Sequence, residues 1–316
     1  MYLNALLQKT KQKFSTAQLR LWNSIQLHLP LVALKFPIYW NLTRMNRPIG
    51  FYLVLWPTLW CLWIAGNGSP DIKLVIIFCI GTVLMRAAGC CINDFADRNF
   101  DGRVARTKDR PITKTQASPK EALLLCASLC FFSFLLVLMT NTLTIFMAFA
   151  ALGLTLIYPF MKRYTHLPQV VLGAAFSWGG LMAFTAQTGT LPAQAWLLYI
   201  GTLLWTIAFD TQYAMVDRED DLKIGVKSTA ILFAEGDIYV IAFLQVFFLV
   251  TLAFCASSFQ LGNWFQFGLL LAAGFFIYQH TLTWDRQPEQ CFKAFLNNNW
   301  VGVVIFVFTM LDFIFS

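Results

Sequence analysis

Long apolar stretches alternate with short segments of turn-forming and charged residues along most of the chain. Each apolar stretch has about twenty residues, enough to cross a hydrocarbon core of roughly 30 Å as a helix. The breaks between them contain Gly, Pro and Asn, which favour turns. The pattern predicts nine spans, approximately at residues 49–66, 72–92, 120–139, 142–160, 168–187, 193–214, 237–257, 263–283 and 296–315.

Composition and charge distribution support a membrane protein. Hydrophobic residues make up 58% of the 316 residues and charged residues only 12%, whereas soluble domains carry about 25% charged residues. The net charge of +7 would suit nucleic-acid binding, but the positions of the charges argue against it. If every second loop is cytoplasmic, all Lys and Arg except Lys73 and Arg86 lie on that side. This asymmetry predicts a cytoplasmic N-terminus and no nucleic-acid partner.

The N-terminal part of the chain differs from the rest. Residues 1–35 are basic, and their apolar residues are interleaved with polar ones. Such a pattern is typical of a helix that lies in the membrane interface. We therefore expect an interfacial segment at 1–35 and a membrane domain at 36–316.

Two acidic clusters interrupt the apolar pattern. The first occupies 93–101, directly after the second predicted span, and the second occupies 210–221, at the end of the sixth. Together they contain eight of the sixteen carboxylates. Carboxylates at a bilayer boundary are costly and usually mark function. Because both spans run toward the cytoplasm, we expect an all-α polytopic bundle of about nine transmembrane helices around a cavity open to the cytoplasmic face.

The spacing within each cluster predicts one-sided rows of oxygen ligands. If the helices continue, Asp94, Asp97 and Asp101 share one face, and Asp210, Asp217 and Asp221 share another. Crowded carboxylates repel one another, and Mg²⁺ is a hard cation that prefers oxygen. The clusters could hold two Mg²⁺ ions with a diphosphate between them. The alternative is solvated helix ends neutralised by Arg and Lys. The candidate ligands are Asn93, Asp94, Asp97, Asp101, Asp210, Asp217 and Asp221.

Basic residues follow both clusters and are candidates to bind phosphate oxygens. The positive-inside bias alone also predicts basic loops, so phosphate binding and membrane topology each explain this group. Within it, Lys108, Arg110 and Lys227 are the candidate substrate-binding residues, together with the Asn93 amide.

The acidic clusters resemble those of a known family. Asn93-Asp94-x-x-Asp97-x-x-x-Asp101 with Asp210-x-x-Tyr213-Ala214-x-x-Asp217-x-x-Asp220-Asp221 is similar to the UbiA-type membrane prenyltransferases. The resemblance extends from about Arg44 to the end of the chain. Supporting stretches at 46–50, 106–112, 158–163 and 220–229 look most like the bacterial 4-hydroxybenzoate polyprenyltransferases.

That resemblance implies an enzyme. It would be Mg²⁺-dependent and would transfer a polyprenyl group from polyprenyl diphosphate to the ring carbon ortho to the hydroxyl of 4-hydroxybenzoate, in ubiquinone biosynthesis. It also implies the bacterial inner membrane, lipid contact and an active site facing the cytoplasm. Asp210 or Tyr213 would orient the phenol or accept its proton.

The carboxylate of the aromatic acid needs a cation. Arg47 is the first candidate, Arg163 the second and Arg44 the third. Arg86, inside the second span, could instead pair with an acid or extend its charged end to the interface.

Two other functions fit the same residues. Prenyl transfer to homogentisate, a naphthoate or haem would also use an acid cluster. A cation-coupled transporter would have intramembrane acids too, although these acids lie at one boundary and not at mid-depth. The sequence does not determine prenyl chain length or oligomeric state.

Overall fold

The computed structural model describes residues 30–315, with side chains from residue 34; this range is helical, and its connections are short apart from the loop at 98–118. Of the predicted interfacial segment 1–35, residues 1–29 lie outside the described residues. Residues 30–35 belong to the helix Pro30–Leu42. The helices are α1 Pro30–Leu42, α2 Ile49–Ala65, α3 Ile72–Asp97, α4 Pro119–Val137, α5 Thr142–Ile157, α6 Pro168–Thr188, α7 Ala195–Ile224, α8 Thr229–Phe233, α9 Asp237–Ser258, α10 Asn263–Thr283 and α11 Pro288–Phe315. Short 3₁₀ segments occupy Asp101–Arg103, Tyr158–Arg163 and Ala234–Gly236.

A helix lies at each of the predicted spans. By length and apolarity, six helical segments of the described chain qualify as membrane crossings: Ile72–Asp97, Pro119–Val137, Thr142–Arg163, Pro168–Thr188, Thr229–Ser258 and Pro288–Phe315. Residues 30–315 form helices and turns without strands, and these apolar segments are those of a multi-pass membrane protein. The shorter Ile49–Ala65 is also apolar.

Helix α7 is longer than its hydropathy predicts. It runs for 30 residues and carries the second acidic cluster on its final turns. It ends at Gly225, which adopts the left-handed conformation at φ 73° and whose amide donates to the Asp221 carbonyl. Glycine adopts this conformation without a steric penalty, and it is a common residue for ending a helix. The acidic cluster is thus presented from a rigid helix and not from a loop.

An aromatic core packs around the middle of α7. Trp205 is fully buried and stacks on Phe248 of α9, with ring centroids 5.6 Å apart. It also contacts Trp60 of α2 at 5.8 Å and Phe209 at 5.3 Å. Large buried rings of this kind contribute much of the packing energy of a core.

A network of buried amides fixes α7 against α9, α10 and α11. The Gln212 and Gln245 amides both donate to Oε1 of Gln279, at 3.1 and 2.9 Å. Asn298 donates to Gln212 at 2.9 Å and accepts from the Trp205 indole at 2.8 Å. Since lipid supplies no hydrophobic force between helices, such bonds help to set their rotation. The network therefore orients the helix that carries the second acidic cluster.

We expect Gln279→Leu to destabilise the protein by about 2 kcal/mol, because it leaves buried amide groups of Gln212 and Gln245 without an acceptor. Thermal unfolding in detergent measures the effect. Gln266→Leu is the matched control, since it makes the same change on an exposed position of α10. Equal unfolding temperatures for the two variants would contradict a stabilising network.

Candidate active site

The two acidic clusters meet in one cavity, which we call the polar cavity; its space is about 840 Å³ when the open solvent at its mouth is included. It lies where the C-terminal ends of α3 and α7 come together. The close approach of segments more than a hundred residues apart in sequence is a result of helix packing. The polar residues of its wall are Asn93, Asp97, Asp101, Arg106, Thr107, Arg110, Tyr158, Lys162, Gln169, Asp210, Tyr213, Asp217, Asp221, Lys227 and Ser228.

The second cluster is arranged as its helical spacing predicts. Asp210, Tyr213, Asp217 and Asp221 all line the polar cavity from the continuous helix α7. Glu219 is exposed and does not line it. One face of α7 therefore supplies the acids of this side.

The first cluster departs from the prediction. Helix α3 ends at Asp97, so the expectation of one continuous helical face through Asp101 is wrong. The Phe100 amide donates to the Asp97 carbonyl at 2.8 Å, and a 3₁₀ turn begins at Asp101. The Thr107 hydroxyl donates to the Asp101 carbonyl at 2.8 Å and holds this turn. Asp101 thus reaches the cavity through a turn and not through helical periodicity.

Cations from other segments neutralise the first cluster. Arg110 Nη1 lies 2.8 Å from Asp101 and 3.2 Å from Asp94, and Lys162 Nζ lies 2.6 Å from Asp97. Arg44 Nη2 is 2.6 Å from Asp94. Burial raises the pKa of the Asp101 carboxyl, Arg110 opposes the rise, and the neighbouring acids add to it. Charge pairing therefore offsets part of the cost of burying these acids.

Arg106 joins the loop at 98–118 to the second cluster. Its Nε donates to Asp217 at 2.9 Å, its Nη2 also bonds Asp217, and its Nη1 bonds the Tyr213 hydroxyl. The guanidinium lies 4.5 Å from the centre of the Tyr213 ring, a cation–π distance. The backbone amide of Ala105 donates to Asp220 at 2.9 Å. Asp220 therefore anchors the loop and does not line the cavity.

The donor set suits a hard cation, although no finished metal site is formed by the protein alone. Among residues 34–315, no three His, Cys, Asp or Glu side chains are grouped closely enough to hold a metal ion. Arginine and lysine side chains form ion pairs with some of the carboxylate oxygens. Such neutralisation by Arg and Lys is the alternative to metal binding that the sequence left open. Yet Asp94 Oδ2 and Asp97 Oδ1 are buried and accept no hydrogen bond. Unpaired buried carboxylate oxygens are unusual, and oxygen is the ligand that Mg²⁺ prefers.

Other predicted binding residues differ in their placement. Lys227 lines the polar cavity, and its Nζ donates to the Tyr164 carbonyl at 3.3 Å. Arg163 donates to the Ala96 carbonyl and lies over the Phe100 ring at 5.4 Å, outside the cavity wall. Arg47 and Lys108 are exposed and do not line it either. The structure therefore does not bring Arg47, Arg163 or Lys108 to the acids, and their binding roles stay predictions.

A second cavity, the apolar chamber, adjoins the first; its space is about 960 Å³ when the open volume at its mouth is included. Tyr158 belongs to both walls. The chamber is bounded by α2 to α6, and its lining is mainly aliphatic and aromatic, with scattered hydroxyls. A charged cavity and an apolar one thus share a boundary at Tyr158.

Arg86 lies in the wall of the apolar chamber, and sequence reasoning gave it no site role. Its Nη1 donates to the Cys90 thiol at 3.2 Å, its guanidinium lies 5.6 Å from the Phe176 ring centre, and its Nε is buried without a partner. A Cβ on Gly50 would lie 2.6 Å from Nη2, so glycine there makes room for the guanidinium. The available signal was an arginine within an apolar span, which is rare without a function.

Comparison with known proteins identifies the family. The model of the UbiA prenyltransferase family matches residues 54–304. The chain belongs to the UbiA prenyltransferase family. Membership makes it a prenyl-transferring enzyme and argues against the transporter alternative.

Close relatives of this UbiA-family chain share most of its length. It is 55% identical over 292 residues to a protein of Pseudomonas aeruginosa (strain UCBPP-PA14), covering 92% of this chain and 98% of the relative. It is 58% identical over 273 residues to one of Ectopseudomonas mendocina (strain ymp), covering 86% and 92%. Both relatives are named 4-hydroxybenzoate octaprenyltransferase.

Solved UbiA homologues share the fold. The apo structure from Aeropyrum pernix K1 superposes with a TM-score of 0.73 at 22% identity, covering 82% of this chain and 97% of that one. The Archaeoglobus fulgidus homologue bound to GPP and Mg²⁺ gives 0.68 at 15% identity, covering 87% and 99%. At these identities the likeness concerns the fold.

Arg106→Gln should loosen the loop at 98–118, because it removes charge-assisted bonds to Asp217 and contact with Tyr213. Such bonds contribute about 1.5–3 kcal/mol, so we expect amide hydrogen exchange at 101–110 to rise roughly tenfold or more. Arg103→Gln is the matched control, since Arg103 is exposed in the same loop. Unchanged exchange in Arg106→Gln would show that the loop is held by other contacts.

Proposed function

We propose that this enzyme transfers a polyprenyl group from polyprenyl diphosphate to the ring carbon ortho to the hydroxyl of 4-hydroxybenzoate, with Mg²⁺ as cofactor, in ubiquinone biosynthesis. The observation that carries the proposal is the junction at Tyr158 between a charged cavity and an apolar chamber. A prenyl diphosphate has the same division into a charged head and an apolar tail. The names of the close relatives support this choice over haem, homogentisate or a naphthoate as acceptor.

Mg²⁺ would be held by oxygens of both clusters, with Asn93, Asp94, Asp97 and Asp101 on one side and Asp210, Asp217 and Asp221 on the other. When bound, it would neutralise diphosphate oxygens and so improve the leaving group. The unpaired oxygens of Asp94 and Asp97 support ligands on the first side.

The basic side chains of the polar cavity would bind the diphosphate. Arg106, Arg110, Lys162 and Lys227 all line its wall. Arginine forms bidentate bonds to phosphate, and cations placed around it stabilise charge that develops as the allylic C–O bond breaks. The bonding electrons then leave with the diphosphate, and an allylic cation remains.

Arg86 would bind the carboxylate of the aromatic acid. It replaces Arg47 as our first candidate, because Arg86 lies in the chamber wall with an unpaired Nε whereas Arg47 is exposed. The ring would then lie near the Tyr158 junction, with Asp210 and Tyr213 on the side of its hydroxyl. The ring carbon ortho to that hydroxyl attacks the allylic cation, and the displaced ring proton leaves toward Asp210 or water. The apolar wall would keep water from the cation.

We also propose how the bundle is oriented in the membrane. We infer that α2 to α7 and α9 to α11 all cross the bacterial inner membrane, with the N-terminus and the polar cavity on the cytoplasmic side. The distribution of Lys and Arg supports this orientation. The apolar faces of the bundle would contact lipid.

Membranes given Mg²⁺, 4-hydroxybenzoate and polyprenyl diphosphates should form a prenylated acid that mass spectrometry identifies. Asp94→Ala, Asp97→Ala, Asp210→Ala and Asp217→Ala should each lower kcat at least about 100-fold while the protein stays folded. Glu219→Ala, which changes an exposed acid of the second cluster, should retain activity. Near-normal turnover of the four variants at saturating Mg²⁺ would refute the assignment of the ligands.

Arg86→Gln should raise KM for 4-hydroxybenzoate about tenfold or more and change KM for the diphosphate little, since a charged hydrogen bond contributes about 1.5–3 kcal/mol. Arg47→Gln is the comparison variant. If Arg47→Gln alone shows this selective rise, Arg47 and not Arg86 binds the carboxylate. Equal rises for both substrates in Arg86→Gln would indicate a general structural role.

A further inference from the structure

Asp237 is a fully buried acid outside the polar cavity, at the first residue of α9. Arg218 of α7 pairs with its Oδ2, and Arg286 Nε, from the connection between α10 and α11, lies 3.1 Å from its Oδ1. The backbone amide of Ile238 also donates to Oδ1, at 2.7 Å. A buried carboxylate is costly unless it is paired and hydrogen-bonded, and these contacts meet both requirements.

The two arginines distinguish Asp237 from an ordinary acid at a helix start. An acid in the first turn is favoured by the helix dipole and needs no cation for that. Here Arg286 is itself fixed, because its Nη2 donates to the Glu235 carbonyl at 2.6 Å. Asp237 and Arg286 thus form an anchor between α9 and the α10–α11 connection, and Arg218 ties α7 to that anchor.

Arg218 flanks the acids that line the polar cavity from α7. It directly follows Asp217 and precedes Asp221 by three residues. At 3.6 residues per turn it lies about 60° around the helix axis from Asp221, and residues three apart on a helix are neighbours that can pair. Yet Arg218 pairs with Asp237 and with no other acid of residues 34–315. Asp221 lines the cavity and, in the same part of the chain, forms no ion pair. Asp237 therefore keeps a neighbouring cation off the cavity face of α7.

We propose that Asp237 is a positioning residue for the metal site: by binding Arg218, it keeps Asp221 available to a divalent cation. This inference rests on the proposed function, of which Mg²⁺ is a part. A guanidinium released from Asp237 would compete with the metal for the carboxylate oxygens of Asp221. Side chains that orient metal ligands without touching the metal typically change metal affinity about 10–100-fold when they are removed.

The test measures binding of a divalent cation directly. Mn²⁺ stands in for Mg²⁺, and the loss of the EPR signal of free Mn²⁺ gives its dissociation constant for the purified full-length protein. The Mg²⁺ concentration for half-maximal prenyl transfer is the second readout. In Asp237→Asn both values should rise about tenfold or more, while kcat at saturating Mg²⁺ and KM for 4-hydroxybenzoate change little.

A second substitution separates positioning from general stability. If the released Arg218 competes for Asp221, adding Arg218→Gln to Asp237→Asn should restore most of the lost affinity for Mn²⁺, because the competing cation is gone. A purely structural role predicts the opposite, since the double variant loses two members of the anchor. The two single variants and the double variant form a cycle that measures this coupling.

Asp312→Asn is the matched control for the loss of a buried acid. Asp312 of α11 is also buried, and it accepts hydrogen bonds from the Gly262 and Phe265 amides at 2.6 and 3.1 Å. These contacts lie at the start of α10, at the opposite end of that helix from Arg286. Asp312→Asn should lower the unfolding temperature and leave Mn²⁺ binding unchanged.

The outcomes separate this inference from the proposed function. If the unmodified enzyme transfers no prenyl group with Mg²⁺, the proposed function fails. If it does and Asp237→Asn keeps both metal values, or Asp312→Asn weakens metal binding equally, the inference is overturned. Failure of the double variant to regain affinity would overturn it as well. Should Asp237→Asn not fold, Asp237→Ser decides by the same readouts, since serine is well suited to a helix start.

Discussion

Burial of carboxylates beside a bilayer is the constraint on which the arrangement of this protein depends. An isolated buried carboxylate would cost several kcal/mol, so each must gain a partner. Arg44, Arg110 and Lys162, from three separate segments, pair with the acids of the first cluster. Arg106 does the same for Asp217 on α7. The acids therefore draw the loops on this side of the bundle together over one cavity.

The pairing leaves a site that is charged but not saturated. The buried oxygens Asp94 Oδ2 and Asp97 Oδ1 have no hydrogen-bond partner, and the arginines that pair with the two clusters are also the groups best suited to phosphate. A ligand that brings both cations and phosphate oxygens would satisfy both sets of groups at once. Beyond Tyr158 the wall is mainly apolar, as the allylic cation and the apolar tail of the proposed reaction would require. The buried amides around Gln279 fix the rotation of α7, which lines the polar cavity. Gly50 leaves room for Arg86 in the wall of the apolar chamber.

Several parts of the site could be predicted from the sequence, and the reasons differ by element. The acids of α7 were placed correctly because a straight helix fixes which positions share a face. Asp101 was predicted in the right cavity by the wrong geometry, since hydropathy does not reveal that α3 ends at Asp97. Arg47 looked like a substrate cation because it precedes a span. Arg86 looked ambiguous because its environment is made by Gly50 and Phe176 of other helices.

By itself the sequence determined that this is a helical membrane protein, that each of two acid clusters follows an apolar span, and that its motifs resemble those of a UbiA-type prenyltransferase. The first two follow from composition, periodicity and local spacing, which are features of neighbouring residues, and the third is a resemblance carried by the motifs. The tertiary structure alone decided which cations meet which acids, that Asp220 anchors a loop, and that an apolar chamber opens beside the charged cavity. Those outcomes depend on the rotation and packing of helices distant in sequence, and no local pattern encodes them.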